Sequence, residues 1–171
     1  MTTPSLPRIN KQMGRIDAIT TDMAALDGAP SGDYEHFAAL VRFAGAAAGA
    51  TEQRAALERA SGLSCCVSII TMLLNERFGT AFADTSRQIV DEYVRADSEH
   101  NGNTPYNPQM SDEHRLAILM EEVGEVARCL TPDANTGIGH AGDLEEELIQ
   151  TAAMAFAWAM RIVDDMEGYS E

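Results

Sequence analysis

Two pairs of side chains in the C-terminal half carry oxygen atoms suited to binding a hard cation. Glu122 and Glu125 lie three residues apart in one predicted helix, and Glu147 and Gln150 have the same spacing in the next. Residues three apart share a face of an α-helix, so each pair directs its oxygens the same way. Oxygen-only ligand sets suit Mg²⁺ and Mn²⁺. The four side chains therefore form a candidate site for a divalent metal.

The neighbours of these pairs distinguish them from an ordinary solvated helix face. Ile118 and Cys129 lie in the same sector as Glu122 and Glu125, and Met154 shares the face of the second pair. A lone pair of glutamates at this spacing is most often a solvated surface. Apolar residues beside both pairs place the acids at the edge of a packed surface, where unpaired charges are costly unless a cation binds them.

Helices must position both pairs, and hydrophobic periodicity predicts them along most of the chain. The predicted helices cover residues 9–26, 34–48, 51–60, 63–78, 85–99, 112–130 and 143–166. Loops are expected at residues 101–110, which are rich in proline, asparagine and glycine, and at 131–142. A buried strand is the alternative for 63–78, because Val67, Ile69 and Ile70 are β-branched. The fold class expected is all-α.

Composition supports a helical protein and excludes some functions. The chain has 171 residues, 45% of them hydrophobic and only 6% aromatic. Residues 1–83 carry a net charge of −1 and residues 84–171 a net charge of −14. Such an acidic surface repels DNA and RNA, so no nucleic-acid partner is expected. The change in charge density near 79–85 predicts an N-terminal helical region at 1–80 and a metal-binding domain at 85–171.

No segment has the length and uniform hydrophobicity of a membrane anchor or signal peptide. The longest apolar stretch, Cys65–Leu74, contains Ser68 and Thr71 and is too short to span a bilayer. The three cysteines lack the spacing of a disulfide framework or a zinc site. We expect a soluble cytoplasmic protein with no membrane partner.

The acidic helices resemble a known family. The runs LMEEVGEVARCL at 119–130 and ELIQTAAMAFAW at 147–158 are similar to the MazG-like branch of the all-α nucleoside triphosphate pyrophosphohydrolases. The motif of that family is EExxE, a gap, and ExxD. Here Glu121, Glu122 and Glu125 are followed, after 21 intervening residues, by Glu147 and Gln150. The resemblance covers residues 112–166 and implies a MazG-like helical bundle with an additional N-terminal helical region.

The resemblance also implies a reaction and roles for individual residues. The reaction is metal-dependent hydrolysis of a nucleoside triphosphate to the monophosphate and pyrophosphate, with Mg²⁺, or alternatively Mn²⁺, as cofactor. Glu122, Glu125 and Glu147 would be metal ligands and position 150 the fourth, with Glu121 a catalytic acid near the metal or the attacking water. Gln150 departs from the family's Asp, which removes one negative charge from the site.

Substrate-binding residues are less sharply indicated. Arg128 lies one turn after Glu125 and either reaches a phosphate or pairs with a glutamate, two alternatives that the sequence leaves open. Arg87, Asp91 and Arg95 of the preceding helix are candidates for lining the nucleotide pocket.

Two rival interpretations stay open. Gln150 favours a catalytically weak or inactive nucleotide- or metal-binding module that acts as an assembly or regulatory partner, and a purely structural acidic bundle is the other possibility. Relatives commonly assemble, so a homodimer or homotetramer is expected. The run Gly137–Gly142 matches GxGxxG, but a helix precedes it and acids follow it, so we interpret it as a loop.

Overall fold

The computed structural model describes residues 4–49, 55–131 and 143–168, which form helices and loops and contain no strand. The helices in chain order are α1 (Leu6–Ala24), α2 (Gly32–Gly49), α3 (Ala55–Phe78), α4 (Phe82–Glu99), α5 (Asp112–Leu130) and α6 (Leu144–Glu167). The all-α prediction is confirmed. The strand alternative for 63–78 is wrong, because this segment is the C-terminal part of α3.

Gly62 does not divide α3, contrary to the prediction of separate helices at 51–60 and 63–78. A Cβ at Gly62 would lie 3.1 Å from the carbonyl oxygen of Phe43 and 3.3 Å from the backbone nitrogen of Ala47. Gly62 therefore permits α2 and α3 to approach backbone to backbone. The sequence pattern suggested a helix break because packing between helices also selects glycine.

The two acidic helices begin and end at recognisable signals. The Ser111 hydroxyl accepts a hydrogen bond from the His114 backbone N–H at 3.3 Å, which caps the start of α5. The first turn of α6 contains Glu145, Glu146 and Glu147, whose charges favour a helix N-terminus. Gly168 ends α6 with a φ of 75°, a left-handed conformation suited to glycine.

Helices α3 and α6 form the centre of the bundle. A buried apolar cluster draws residues from all six helices, with Trp158 and Phe156 of α6 among its largest fully buried side chains. Residues Ala56–Phe78 of α3 are long and apolar enough to cross a membrane by composition, beyond the shorter stretch considered above, but 67% of this segment's most apolar window is buried. Such burial is expected of a bundle's core helix. The division into regions 1–80 and 85–171 stays a prediction.

Candidate metal centre

Glu122, Glu125 and Glu147 lie together where α5 and α6 pack. One carboxylate oxygen from each lies within 4.8 Å of the others, and no other such cluster of acids, histidines or cysteines occurs within 4–49, 55–131 and 143–168. Ligand oxygens lie about 2.0–2.6 Å from a bound Mg²⁺ or Ca²⁺ ion, so oxygens up to about 5 Å apart can share one cation. The spacing of the two pairs predicted this convergence. The role of the three residues as ligands stays a prediction.

Two oxygens of the cluster are buried without a hydrogen-bond partner. These are Oε2 of Glu122 and Oε2 of Glu147, and Glu147 as a whole is only 9% exposed. A buried carboxylate oxygen without a donor costs free energy, typically one to several kcal/mol. A hard cation is a ligand that would satisfy both atoms, so the residues present fit a divalent metal.

The clustering also changes the acidity of the group. Burial, together with the charges of Glu125 and Glu147, raises the pKa of Glu122 to about 7. Burial and the neighbouring Glu125 likewise raise the pKa of Glu147 to about 7, with Arg128 opposing the effect. The cluster is therefore electrostatically strained by its own negative charge.

Arg128 is the positive group nearest the cluster in the described part of the chain. Its Nη2 lies 3.6 Å from Oε1 of Glu125 and 3.7 Å from Oε1 of Glu147. The structure thus places Arg128 as a counter-ion of two glutamates, although its side chain is 54% exposed and remains accessible from solvent. At these distances it neutralises the cluster only in part.

Glu121 and Gln150 lie beside the cluster. Both line a cleft of about 370 Å³, together with Glu122. The Gln150 amide donates a hydrogen bond to Oε1 of Glu146 at 3.3 Å, on the exposed side of α6. Gln150 is therefore near the three glutamates but has a partner outside them.

The cleft is enclosed by α4, α5, α6 and the loop between α4 and α5. Its remaining lining residues are Glu92, Arg95, Ala96, His100, Asn103, Thr104, Pro105, Ile118 and Met154. Arg95 lies here as suggested by the sequence, paired with Glu92 at 2.7 Å and with Glu99. The volume falls within the range of small-molecule sites.

Arg87 and Asp91 do not line this cleft, and their role as substrate-binding residues stays a prediction. Both line a separate groove between α1 and α4. The Arg87 guanidinium pairs with Asp84 at 2.5 Å on the exposed surface. Because α4 packs against both α1 and α6, it has two polar margins, and helical periodicity alone did not show which margin faces the glutamates.

Glu92 is the residue that the sequence analysis missed. It lines the cleft, and its charge contributes to the raised pKa of Glu122. Its side chain is only 14% exposed. Its position three residues before Arg95, on the same helix margin, was the signal available in the sequence.

The chain matches no protein-family model, no curated protein and no solved structure. The residues Gly137–Gly142, which matched GxGxxG, lie outside the described residues.

Proposed function

We propose that this protein is a divalent-metal-dependent hydrolase that converts a nucleoside triphosphate to the monophosphate and pyrophosphate. The observation that carries the proposal is the convergence of Glu122, Glu125 and Glu147, with two of their oxygens buried and unpartnered. Glu122 also lines a cleft of a volume that suits a small molecule. Motif and geometry agree on the same three residues. Fold class alone would carry no function.

The three glutamates would hold Mg²⁺ or Mn²⁺, with Gln150 or a neighbouring group completing the set. A bound divalent cation supplies the positive charge that a triphosphate needs and makes water a better nucleophile. A cation is needed because the cleft's own basic side chain, Arg95, is already paired with two acids.

The protein's own residues have distinct roles in this proposal. Glu121 is exposed on the cleft wall, where its carboxylate would accept the proton of the attacking water. Water adds to the α-phosphorus, the bond from that phosphorus to its bridging oxygen breaks, and pyrophosphate leaves. Arg128 would contact a phosphate once a cation replaces it beside the glutamates.

A second candidate is a binder of metal or nucleotide without turnover, acting as an assembly or regulatory partner. The Gln150 amide favours this candidate, because it points its N–H toward Glu146 and adds no charge to the site. Assembly as a homodimer or homotetramer and a cytoplasmic location also remain proposals.

A screen of standard, deoxy and modified triphosphates with Mg²⁺ and Mn²⁺, measuring pyrophosphate, tests the enzyme. Glu122→Gln and Glu147→Gln should abolish release, whereas Glu145→Gln, an exposed acid of the same helical turn, should leave it intact. Calorimetric titration with Mn²⁺ alone separates the candidates. Mn²⁺ binding without pyrophosphate release favours the binder, and the absence of any Mn²⁺ binding contradicts both and favours a structural acidic bundle.

A further inference from the structure

The cleft has two ends of different chemistry. Glu92 and His100 both line it from α4 and are eight residues apart, which is about 12 Å along a helix. Glu122 lies toward Glu92, because the charge of Glu92 contributes to its raised pKa, and Glu121 precedes Glu122 on α5. The lining residues that belong to the α4–α5 connection are not acids, namely His100, Asn103, Thr104 and Pro105, and Ile118 and Met154 lie one helical turn from Glu122 and Gln150.

We call residues 100–111 the cleft loop, and its beginning is fixed to the end of α4. The Thr104 hydroxyl donates a hydrogen bond to the buried Asp97 carboxylate at 3.0 Å, and the Gly102 backbone N–H donates to the Asp97 carbonyl at 2.8 Å. Asn101 and Gly102 turn the chain through φ values of 53° and 77°. This end of the loop therefore has one defined path.

The middle of the cleft loop is fixed by Arg115 of α5. Its Nε donates a hydrogen bond to the Pro105 carbonyl at 2.8 Å, and its Nη2 donates to the Asn107 carbonyl at 2.7 Å. Arg115 is only 7% exposed. A buried guanidinium with two backbone acceptors restrains both peptide groups, because breaking either bond would leave a buried charge poorly solvated.

Between these two residues, Tyr106 is held by Asp164 of α6, a carboxylate that also pairs with Arg8 of α1. The Tyr106 hydroxyl donates a hydrogen bond to Oδ2 of Asp164 at 2.7 Å, and the Arg8 Nε donates to Oδ1 of the same carboxylate at 2.8 Å. Asp164 is fully buried. Burial and the Asp164 carboxylate raise the pKa of Tyr106 to about 12, so the phenol keeps its proton.

These three sets of hydrogen bonds, to Asp97, Arg115 and Asp164, make the cleft loop a preformed wall of the cleft. Surface loops are ordinarily the more mobile and adaptable parts of a protein. A wall already held in its binding conformation loses little conformational entropy when a ligand binds. The carboxylate-free end of the cleft and the rigidity of the cleft loop suit recognition of an uncharged group by hydrogen bonds.

We propose that the cleft loop binds the nucleoside part of the substrate, and that α1 positions this wall through Arg8, Asp164 and Tyr106. The inference rests on the proposed function, which places the triphosphate at the carboxylate end. An uncharged base and ribose then extend toward the loop, where the Asn103 amide offers both a donor and an acceptor. Asn103 is a binding residue, whereas Arg8, Asp164 and Tyr106 are positioning residues. The N-terminal region thereby gains a role at the site.

The test compares ligands with and without a nucleoside. The full chain and its variants are titrated calorimetrically with Mn²⁺ alone, and then, loaded with Mn²⁺, with inorganic tripolyphosphate and with non-hydrolysable α,β-methylene nucleoside triphosphates. Asn103→Ala should weaken nucleotide binding about three- to tenfold, the effect of losing one or more hydrogen bonds. Its affinities for Mn²⁺ and tripolyphosphate should not change. Asn10→Ala, in the groove between α1 and α4, is the matched control and should behave as wild type.

Tyr106→Phe tests the positioning role of Asp164 and Tyr106, because it removes only the hydroxyl that donates a hydrogen bond to Asp164. We expect a loss of nucleotide affinity in the same direction as for Asn103→Ala, a raised KM with kcat nearly unchanged, and unaltered tripolyphosphate binding. A merely structural role would lower all affinities together.

The outcomes separate the two proposals. Wild type that binds no Mn²⁺ overturns the proposed function and this inference with it. This inference alone is overturned if wild type binds Mn²⁺ and nucleotide but Asn103→Ala binds nucleotide as tightly as wild type does. It is also overturned if Asn103→Ala loses as much affinity for tripolyphosphate as for nucleotide. If Asn103→Ala behaves as expected and Tyr106→Phe binds nucleotide like wild type, the positioning role of α1 is overturned.

Discussion

Helix α6 buries an acid near each end, and the fold supplies hydrogen-bond partners to one of them only. Asp164, near the C-terminus, accepts hydrogen bonds from Arg8 and Tyr106 at 2.8 and 2.7 Å. Glu147, seventeen residues earlier and so about 25 Å away along the helix, faces two further glutamates and has an oxygen that no described group satisfies. Both carboxylates are nearly or fully inaccessible to solvent.

The contrast shows that this fold can satisfy a buried carboxylate. At Asp164 a cation and a phenol come from other elements of the chain to pair with it. At Glu147 the neighbours are acids, and the nearest positive group is an exposed arginine at 3.7 Å. A carboxylate left unsatisfied where partners could have been supplied is typical of a binding site, and the pKa values raised to about 7 agree with that interpretation.

The largest effect is expected from removing the satisfied acid. Asp164→Ala leaves the Arg8 charge and the Tyr106 hydroxyl without their buried acceptor, and it should lower the free energy of unfolding by about 3–5 kcal/mol. Urea denaturation measures the change. The control is Asp84→Ala, because this acid is 52% exposed and pairs with the exposed Arg87 at the surface. It should cost less than about 1 kcal/mol, and equal costs for the two variants would contradict the contrast.

In metal-free protein, the unsatisfied acids Glu122 and Glu147 should make the folded state less stable as pH rises. The folded state holds protons on Glu122 and Glu147 up to about pH 7, whereas the unfolded chain releases them near the ordinary value of 4.5. The folded state binds more protons in this window, so its stability is greatest below about pH 4.5 with respect to these groups and falls as pH rises through 7. We expect a loss of about 1–2 kcal/mol for each carboxyl, discounted for partial exposure.

Glu147→Gln tests this pH dependence, because a neutral amide cannot carry the charge that opposes folding. In EDTA the variant should show a smaller loss of stability between pH 5 and 8 and should exceed wild type in stability at pH 8. Glu145→Gln is the matched control and should retain the wild-type slope. A Glu147→Gln slope identical to wild type would mean that the cluster does not titrate as described.

Arg128 should act as a partial substitute for a cation, so its removal should strengthen metal binding. Arg128→Gln deletes two long ion pairs, and each exposed pair is worth about 0.2–1 kcal/mol. Mn²⁺ affinity measured by calorimetry should therefore rise about three- to tenfold. Arg95→Gln is the control, because it also removes one positive charge but from a residue that is already paired with Glu92 and Glu99. An equal rise in both variants would indicate a general field effect and no specific role for Arg128.

The smallest effect is expected at Gln150. Gln150→Asp adds a carboxylate beside the cluster at the expense of one exposed hydrogen bond to Glu146. Mn²⁺ affinity should rise about two- to threefold, with the free energy of unfolding changed by no more than about 0.5 kcal/mol. Gln88→Asp, on the facing part of α4, should leave Mn²⁺ affinity unchanged. A destabilised Gln150→Asp with no tighter binding would show that position 150 is structural.

Much of the candidate site follows from local pattern. Helical periodicity groups Glu122 with Glu125 and Glu147 with Gln150, and one loop between consecutive helices allows the two groups to meet. The three glutamates do converge. Apolar residue type was less informative about which helix faces are covered, since Val94 and Met120 are 39% and 44% exposed.

The remaining features depend on contacts between residues distant in sequence. Asp164 gave no signal of its own in the sequence, because Arg8 lies 156 residues away and Tyr106 lies in a loop. The same reason explains Arg87 and Asp91, whose helix margin faces α1, and Glu92, whose margin faces the glutamates.

The sequence by itself determined the all-α class, the ends of α5 and the residues that form the acidic cluster, because these follow from interactions within a turn or two of helix. Only the tertiary structure decided that Gly62 allows two helices to pack closely, that Asp164 is satisfied and Glu147 is not, and that Asp97, Arg115 and Asp164 fix the cleft loop. Each of these depends on which side chain a distant element brings into a buried space, and burial determines the free energy of an unpaired charge.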